Sequence, residues 1–574
     1  MSITGSSIIT NCIKSYNIDK VFVYPGGTIA PLLDTLKKEN IRLLCTRNEQ
    51  GAGYAAIGAA KLSNSLQVVV VTSGPGATNI ITPIADAFYD SVPIAVFTGQ
   101  VATPYLNLTK KVRQTGFQET DIVNIVKPIV KKSFTLLPTD NIEEKVTEAF
   151  KIAISDRPGP VLIDLPMDTQ QSSYKRITKQ KIKTANLYNI AGNKLIPSKL
   201  SILNDLLQQV KRPLIIAGNG IYISNAVDDF RSFVEKVKIP VVSSLPAVGI
   251  LNKEHPLYFD FLGHTGEFYA NLAVYYSDLL IVLGSRLDIR QTGTQTDIFR
   301  QKRIIRVDID KNELDYSKVK SNHQITFNID LKLFFEEVLK LEYKQLDFND
   351  WISMLKEWKC KFHSSQFYQD KAKLFKYDII SYVASITKDK KVVVSTGVGA
   401  HQQITARYFN FNYPNRIFLS SCGHGTMGFD LPSTIGALIE RRDLDFGIVF
   451  VGDGSFQMNI QELATIKEYN LPIKIFVLDD SRLSLVSQFQ LLNWNDDPTT
   501  GNKYNPSFAD IAKAYGLLSL NISSKEDIKK IDYIFKHKQP SLVHCQVYHK
   551  EDVLPMLLAG QELNEMHPFK KVLI

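Results

Sequence analysis

At 574 residues the chain is too long for one hydrophobic core, and its length suggests about three or four domains. A hydrophobic share of 44% with 22% charged residues is that of an ordinary soluble globular protein. The formal charge of +9 is spread along the chain with no dense basic run, which argues against a nucleic-acid-binding face.

Cys12, Cys45, Cys360, Cys422 and Cys545 are scattered, odd in number and without a CxxC pair. This pattern argues against a disulfide framework or a zinc site and fits a reducing cytoplasm. The first twenty residues lack the basic-then-apolar order of a signal peptide; Ile8, Ile9, Cys12 and Ile13 have helical spacing instead. The longest apolar runs, such as 68–71, have strand length, so no membrane span is expected.

Further along, short β-branched runs alternate with amphipathic segments, at 21–25, 68–74, 94–99, 161–166, 214–220, 279–285, 392–397, 447–454 and 473–480. Runs that end in Gly, Pro or Asp and lead into helical periodicity read as buried parallel strands of α/β units. Ligands are then expected at the carboxyl ends of the strands. Polar stretches near 170–195, including Lys179 to Lys183, and near 340–372 lack apolar periodicity and read as linkers. The predicted organisation is α/β, with three doubly wound parallel-sheet domains at 1–170, 190–340 and 370–550 and a C-terminal tail at 551–574.

In the first block Arg47-Asn48-Glu49-Gln50-Gly51-Ala52 follows the strand-like IRLLCTR and leads into a small-residue helix. Taken alone, Glu49 is a carboxylate complementing a helix dipole. The segment from Ser73 through Pro75 to Asn79 opens another helix, and Phe117-Gln118-Glu119 follows a polar loop. In the second block Gly218-Asn219-Gly220, the segment from Gly284 to Arg290, and Val307-Asp308-Ile309-Asp310 stand at strand ends.

The third block holds the most informative segment, Gly452-Asp453-Gly454-Ser455, set between a predicted strand and helix. Such a glycine turn brings backbone N–H groups close to an anion, and Asp453 adds the hard oxygen donor that Mg²⁺ prefers. The next strand ends in Asp479 and Asp480, 27 positions beyond Asp453 for the latter. Adjacent parallel strands would bring these ends together around one metal ion holding a diphosphate. An isolated GDG reads equally as a turn with helix-capping aspartates.

The segment GDGSFQMNIQELATI followed by NLPIKIFVLDD resembles the thiamine diphosphate motif, which runs from GDG to a closing Asn-Asn. The surrounding words, from Tyr24-Pro25-Gly26-Gly27 to Pro555-Met556, are similar to acetolactate synthase catalytic subunits within the thiamine diphosphate-dependent enzymes. The resemblance implies a pyrimidine-binding, a central nucleotide-binding-like and a diphosphate-binding domain, in that order. It also implies Mg²⁺ held by Asp453, by the Asp480 side chain and by the backbone carbonyl of Arg482. The family usually has Asn at 480 and often His at 482, so this chain adds a negative charge beside the diphosphate.

Thiamine chemistry needs a carboxylate in a largely apolar pocket that shifts the tautomer of the cofactor's aminopyrimidine ring through a hydrogen bond. In a motif resembling the family's His-Glu-Gln-Gly-Ala, Glu49 is that catalytic residue, with Asn48 at the usual His, and the resemblance makes Gln118 a second catalytic residue. The resemblance further implies that Pro25, Gly26, Pro75, Asn79 and Gln118 approach the cofactor from one subunit. Val398, Gly399, His401, Gly425, Met427, Gly454 and Ser455 approach it from the partner, Met427 as the apolar wedge. Alone, Met427 reads as core and His401 as a satisfied polar residue. In the central domain the matching segments imply FAD. Arg157 and Arg290 would meet its diphosphate and Asp308 its ribose, with Asn219, Gly284, Arg286, Asp288, Ile309 and Asp330 completing the set. Asn219 and Thr265 replace the usual Gly and His, and the alternatives are a vestigial domain or one holding an ADP moiety.

The implied reaction is decarboxylation of pyruvate and ligation of the hydroxyethyl carbanion to a second carbonyl compound, in branched-chain amino acid biosynthesis. Val398 and Met427 keep the donor pocket small. On the substrate side Met167, Ala400 and Phe489 replace the usual Lys, Gln and Trp, and Phe489 and Val486 are the expected substrate contacts. The acceptor is then a second pyruvate, 2-oxobutyrate or, given the smaller Phe489, a keto-sugar nucleotide. Simple decarboxylation or oxidation is a further alternative, and a non-catalytic paralogue is disfavoured by the presence of Glu49 and Asp453. A cytoplasmic homodimer or homotetramer is expected, with a possible small regulatory subunit and neither nucleic acid nor membrane as partner.

Overall fold

The runs of Val and Ile form strands with both faces buried. A computed structural model of the chain describes residues 2–107, 111–175, 197–344, 346–501 and 504–573. Along the first-domain strands, successive side chains enter two separate cores. Val21, Val23, Val68, Val70 and Phe97 point into one, and Phe22, Val69, Val71 and Val96 into the other. This alternation is what a parallel sheet covered by helices on both sides requires.

Three six-stranded parallel sheets result. In the first, Lys20–Tyr24 lies between Arg42–Cys45 and Gln67–Val71, followed outward by Ile94–Gln100, Val161–Pro166 and Lys132–Thr135. Numbered along the domain this order is 2-1-3-4-6-5. The third sheet repeats it, with Arg416–Ser420, Val392–Thr396, Phe446–Gly452, Ile473–Asp479, Ser541–Gln546 and Leu518–Ile522. The middle sheet runs 3-2-1-4-5-6 through Tyr258–Phe261, Val241–Ser243, Pro213–Ala217, Leu279–Leu283, Arg303–Asp308 and His323–Asn328. Each sheet therefore reverses its winding next to its first strand, and there the carboxyl ends of the strands open a crevice.

The first and third domains share a core. Helix Glu49–Ser63 lies against helix Asp430–Glu440, and Ala55, Ile57, Ile435, Val449 and Val477 belong to one apolar cluster. Small residues permit the approach. A Cβ at Gly436 would stand 1.7 Å from the Ala55 carbonyl oxygen, and one at Gly58 would stand 1.9 Å from that of Ser433.

The stretch at 340–372 is not merely a linker. Asn349–Lys361 is a helix whose Trp351, Leu355 and Trp358 are buried on the middle domain, at helical spacing of four and three. Its many lysines and acids dilute that stripe and hide the period from a composition-based reading. Of the other predicted linker, residues 176–196, with Lys179 to Lys183, lie outside the described residues. The tail also packs, with Leu557, Leu563 and Met566 buried against the middle domain and Phe569 stacked on Phe268 at 5.2 Å. Among the described residues no helix is long and apolar enough to cross a membrane.

Candidate active site

Strand pairing places the two motif carboxylates side by side. Gly452 pairs with Leu478, so Asp453 and Asp480 leave neighbouring strands one and two residues later. Both are buried. They line a cavity of about 420 Å³ with Val398, Gly399, Ala400, His401, Met427, Gly454, Ser455, Arg482 and Val486. Gly399 has φ +148°, a conformation costly for a residue with a Cβ, so the chain can turn there from strand Val392–Thr396 into helix Ala400–Tyr408.

Hydrogen bonds fix this cavity from behind. Asn505 Nδ2 donates to Asp453 Oδ2 at 2.7 Å and to Asp479 Oδ1 at 2.8 Å. His544 Nε2 lies 2.9 Å from Asp479 Oδ2. Burial alone would raise the Asp479 carboxyl, but the bonds from His544, the Ser481 N–H and Asn505 hold it below the ordinary range. Asp480 Oδ2 accepts from Lys376 Nζ at 2.7 Å and from the Ser484 hydroxyl. Ser455 Oγ donates to Asp430 at 2.7 Å and accepts from the Gly428 N–H, which holds the Met427–Gly428 turn. Burial pushes the Asp430 carboxyl up to about 6.

His401 is buried with its Nε2 lacking a protein partner. Burial, reinforced by the Lys376 charge, lowers its pKa to about 3, so the ring is neutral at pH 7. A neutral imidazole that lines the cavity, its Nδ1 3.3 Å from where a Cβ on Gly452 would stand, offers a hydrogen-bonding edge to a bound group. Among the described residues no three His, Cys, Asp or Glu side chains converge as a metal cage. Two carboxylates suit Mg²⁺ nonetheless, because that ion commonly takes one or two carboxylates and completes its shell with phosphate and water.

The other predicted residues gather at the matching crevice of the first sheet. Glu49 is the first residue of its helix and 5% exposed, and Asn79 Nδ2 donates to its Oε2 at 3.0 Å. Asn48 caps the helix, its side chain accepting from the Gln50 N–H at 2.8 Å. Pro25, Pro75 and Asn79 are exposed on the rim. Gln118 has φ +64° and sits where a Cβ on Gly74 would come within 2.8 Å of its own, so the polar loop folds onto the Pro75 turn. A non-glycine residue held at positive φ against the Gly74 turn marks a constrained position. Gly26 forms part of the same rim, where a Cβ would clash with Thr72.

Within one chain the two groups do not share a cavity: every residue lining the Asp453 pocket lies between 376 and 486. Gly425 stands outside that lining, at φ +80° in the loop that docks on Asp86 and Asp90 of the first domain. Val486 borders the pocket, whereas Phe489 lies one turn beyond, half exposed and edge-on to Trp494.

A second cavity, of about 910 Å³, opens at the crevice of the middle sheet and is lined by Arg157, Asn219, Gly284, Arg286, Asp288, Asp308, Ile309 and Asp330. Gly218 and Gly284 meet so closely that a Cβ on Gly218 would stand 2.0 Å from the Gly284 oxygen. The close glycine approach and the strand-end acids Asp308 and Asp330 suit a nucleotide with ribose hydroxyls. Arg157 Nη1, however, bonds Asp310 at 3.1 Å and Glu313 at 2.9 Å, and Arg290 does not line the cavity.

Sequence reasoning missed Lys376, Asn505, His544 and Glu551. Lys376 lies 104 residues before Asp480, outside any motif, and only the packing of helix Lys376–Ile386 brings it in.

Comparison with known proteins agrees with this layout. The N-terminal TPP binding domain of the thiamine pyrophosphate enzymes matches residues 3–125, their central domain 200–337 and their C-terminal TPP binding domain 397–545. The acetolactate synthase large subunit of Lactococcus lactis is 36% identical over 566 residues, which is 98% of this chain and 96% of that protein. The isozyme 2 large subunit of Escherichia coli is 32% identical over 98% of this chain and 99% of its own length. The chloroplastic acetolactate synthase of Arabidopsis thaliana is 34% identical over 98% and 84%. The chain belongs to the thiamine pyrophosphate enzyme family.

Proposed function

From that membership, we propose that the protein is an acetolactate synthase-like carboligase that decarboxylates pyruvate and joins the two-carbon unit to a second 2-oxo acid. The observation that carries this reading is the pair Asp453 and Asp480 at adjacent strand ends, sharing one cavity with the neutral ring of His401. Thiamine diphosphate, when bound, supplies the nucleophilic carbon that the protein's own side chains lack.

The protein's part is to hold, orient and move a proton. Asp453, Asp480 and the Arg482 carbonyl would hold Mg²⁺. His401 and the backbone of Gly399, Gly454 and Ser455 would face the diphosphate. Met427 and Val398, which line the same cavity, would give the cofactor an apolar wall. Glu49, buried and hydrogen-bonded to Asn79, is the carboxyl group that exchanges a proton with a ring nitrogen, and Gln118 would reach the cofactor from the positive-φ loop that meets Gly74.

Because the two half-sites do not share a cavity within one chain, we place the working site between two copies, the first domain of one facing the third domain of the other. Phe117 and Trp494, 85% and 67% exposed, are the apolar side chains such an assembly would cover. We also assign the 910 Å³ cavity of the middle domain to FAD, with Asp308 and Asp330 on ribose hydroxyls, and a small regulatory subunit to the holoenzyme. Its soluble oxo-acid substrates suit a cytoplasmic enzyme.

The decisive test is incubation with pyruvate, thiamine diphosphate and Mg²⁺, with and without 2-oxobutyrate or a keto-sugar nucleotide. Acetolactate or acetohydroxybutyrate is the expected product; acetaldehyde or acetate alone would remove the carboligase reading. Flavin absorbance of the purified protein tests the middle domain. Sedimentation tests the dimer, which a fully active monomer would exclude.

A further inference from the structure

Lys376 is 1% exposed and begins helix Lys376–Ile386. Nothing local favours a buried cation there, because the helix N-terminus is the positive end of its dipole. Lys376 nevertheless borders the Asp453–Asp480 cavity, and its ammonium group donates to Asp480 Oδ2 at 2.7 Å. Glu551, from the tail, holds it in place. One Glu551 oxygen accepts from the Lys376 N–H at 2.6 Å and lies 3.8 Å from the ammonium, and the other accepts from the Tyr377 N–H at 3.2 Å. Arg482 Nε is more distant from Asp480 Oδ2, at 3.8 Å, while its other nitrogens serve Ser487 and Asp552. Lys376 is therefore the nearest counter-charge to Asp480.

A buried carboxylate beside a bound diphosphate is repelled by it, and a buried lysine without a partner is equally costly. Resting on the reading of Asp453 and Asp480 as the metal site, we propose that Lys376 and Asp480 act as one charge-compensated unit. In it Lys376 is a positioning residue that occupies Oδ2, leaves Oδ1 for the metal and keeps the pocket acceptable to the diphosphate. A carboxylate is tolerated at 480 because the cation at 376 comes with it.

The proposal fixes a crossed pattern of ligand affinities. In Lys376→Met the pocket carries an unmatched negative charge, so half-saturation by thiamine diphosphate should rise roughly 10–100-fold, the usual size of an outer-shell effect, while Mn²⁺ binding is not weakened. In Asp480→Asn the unmatched cation should raise half-saturation by Mn²⁺ over a similar range while thiamine diphosphate is not weakened. The double variant should return both close to wild type. Mn²⁺ is read by electron paramagnetic resonance and thiamine diphosphate by quenching of intrinsic fluorescence, with the other ligand saturating; melting of the ligand-free proteins reports folding. A merely structural pair would lower melting temperatures without the crossed pattern. Unchanged thiamine diphosphate affinity in Lys376→Met, or losses that multiply in the double variant, overturns the inference. If the single variants fail to fold, a folded, ligand-binding double variant supports the unit and an unfolded one overturns it. A wild-type protein that binds neither Mn²⁺ nor thiamine diphosphate removes the metal-site reading itself.

Discussion

The first and third domains share the strand order 2-1-3-4-6-5 and present their predicted site residues at the same reversal of winding, yet they equip it in opposite ways. At that crevice the first offers the buried carboxyl group of Glu49, on a helix of glycines and alanines, bonded among the described residues by the Asn79 side chain and rimmed by exposed Pro25, Pro75 and Asn79. The third concentrates charge. Asn505 joins Asp453 to Asp479, which His544 also meets, while Lys376 and Ser484 both bond Asp480 and Glu551 holds the Lys376 backbone. A group that must exchange a proton works best with few strong partners, because every fixed hydrogen bond favours one protonation state. A group that must hold a metal and an anion needs its ligands fixed in advance, since an outer shell that orients them sustains the affinity.

That contrast can be broken by exchanging the expected consequences of mutation. Glu49→Gln keeps size and burial but removes the titrating oxygen. It should slow exchange of the cofactor's C2 proton, followed by NMR, by roughly two to four decades while cofactor affinity stays near wild type. Unchanged exchange would remove Glu49 from the chemistry. Asp453→Ala should do the reverse and abolish stabilisation by ligand. Wild type with thiamine diphosphate and Mg²⁺ at 100 times Kd should gain about 2.7 kcal/mol, seen as a raised melting temperature, and the variant should gain almost none.

A finer test is Asn505→Ala, which touches neither reactant and frees Asp453 and Asp479 from their shared donor. It should weaken Mn²⁺ binding by roughly tenfold and leave C2 exchange, measured at saturating metal, almost unchanged. A separate test, read on stability alone, is the pH response of His401, held neutral by burial and then by Lys376. Its ordinary value is about 6.5 and its folded value about 3, so only the unfolded chain takes up the proton as pH falls between them. Stability present above pH 6.5 should therefore fall towards acid by up to about 1.4 kcal/mol per pH unit from this group. The melting temperature of His401→Gln, followed from pH 7 to 5, should decline less steeply than that of wild type.

Much of this was legible beforehand wherever chemistry depends on neighbours in the chain. The GDG turn, the DD strand end, Glu49 at a helix start and Pro75 to Asn79 opening a helix all stand in the structure where their local patterns put them. The helix Asn349–Lys361 was hidden because its three buried residues are outnumbered by polar ones, and the short edge strands Lys132–Thr135 and Leu518–Ile522 because half-buried positions weaken the apolar signal.

The sequence by itself determined the parallel α/β class, the most apolar of the strands and the residues at their carboxyl ends, since period and turn chemistry are properties of adjacent residues. Only the tertiary structure decided what surrounds those residues. It seated Lys376 on Asp480, Asn505 between two aspartates and Glu551 on a helix start, and it separated Glu49 from Asp453 within the chain. Such pairings join positions tens to hundreds of residues apart, and a charge carries no sign of its partner until packing excludes water and brings the two within a hydrogen bond.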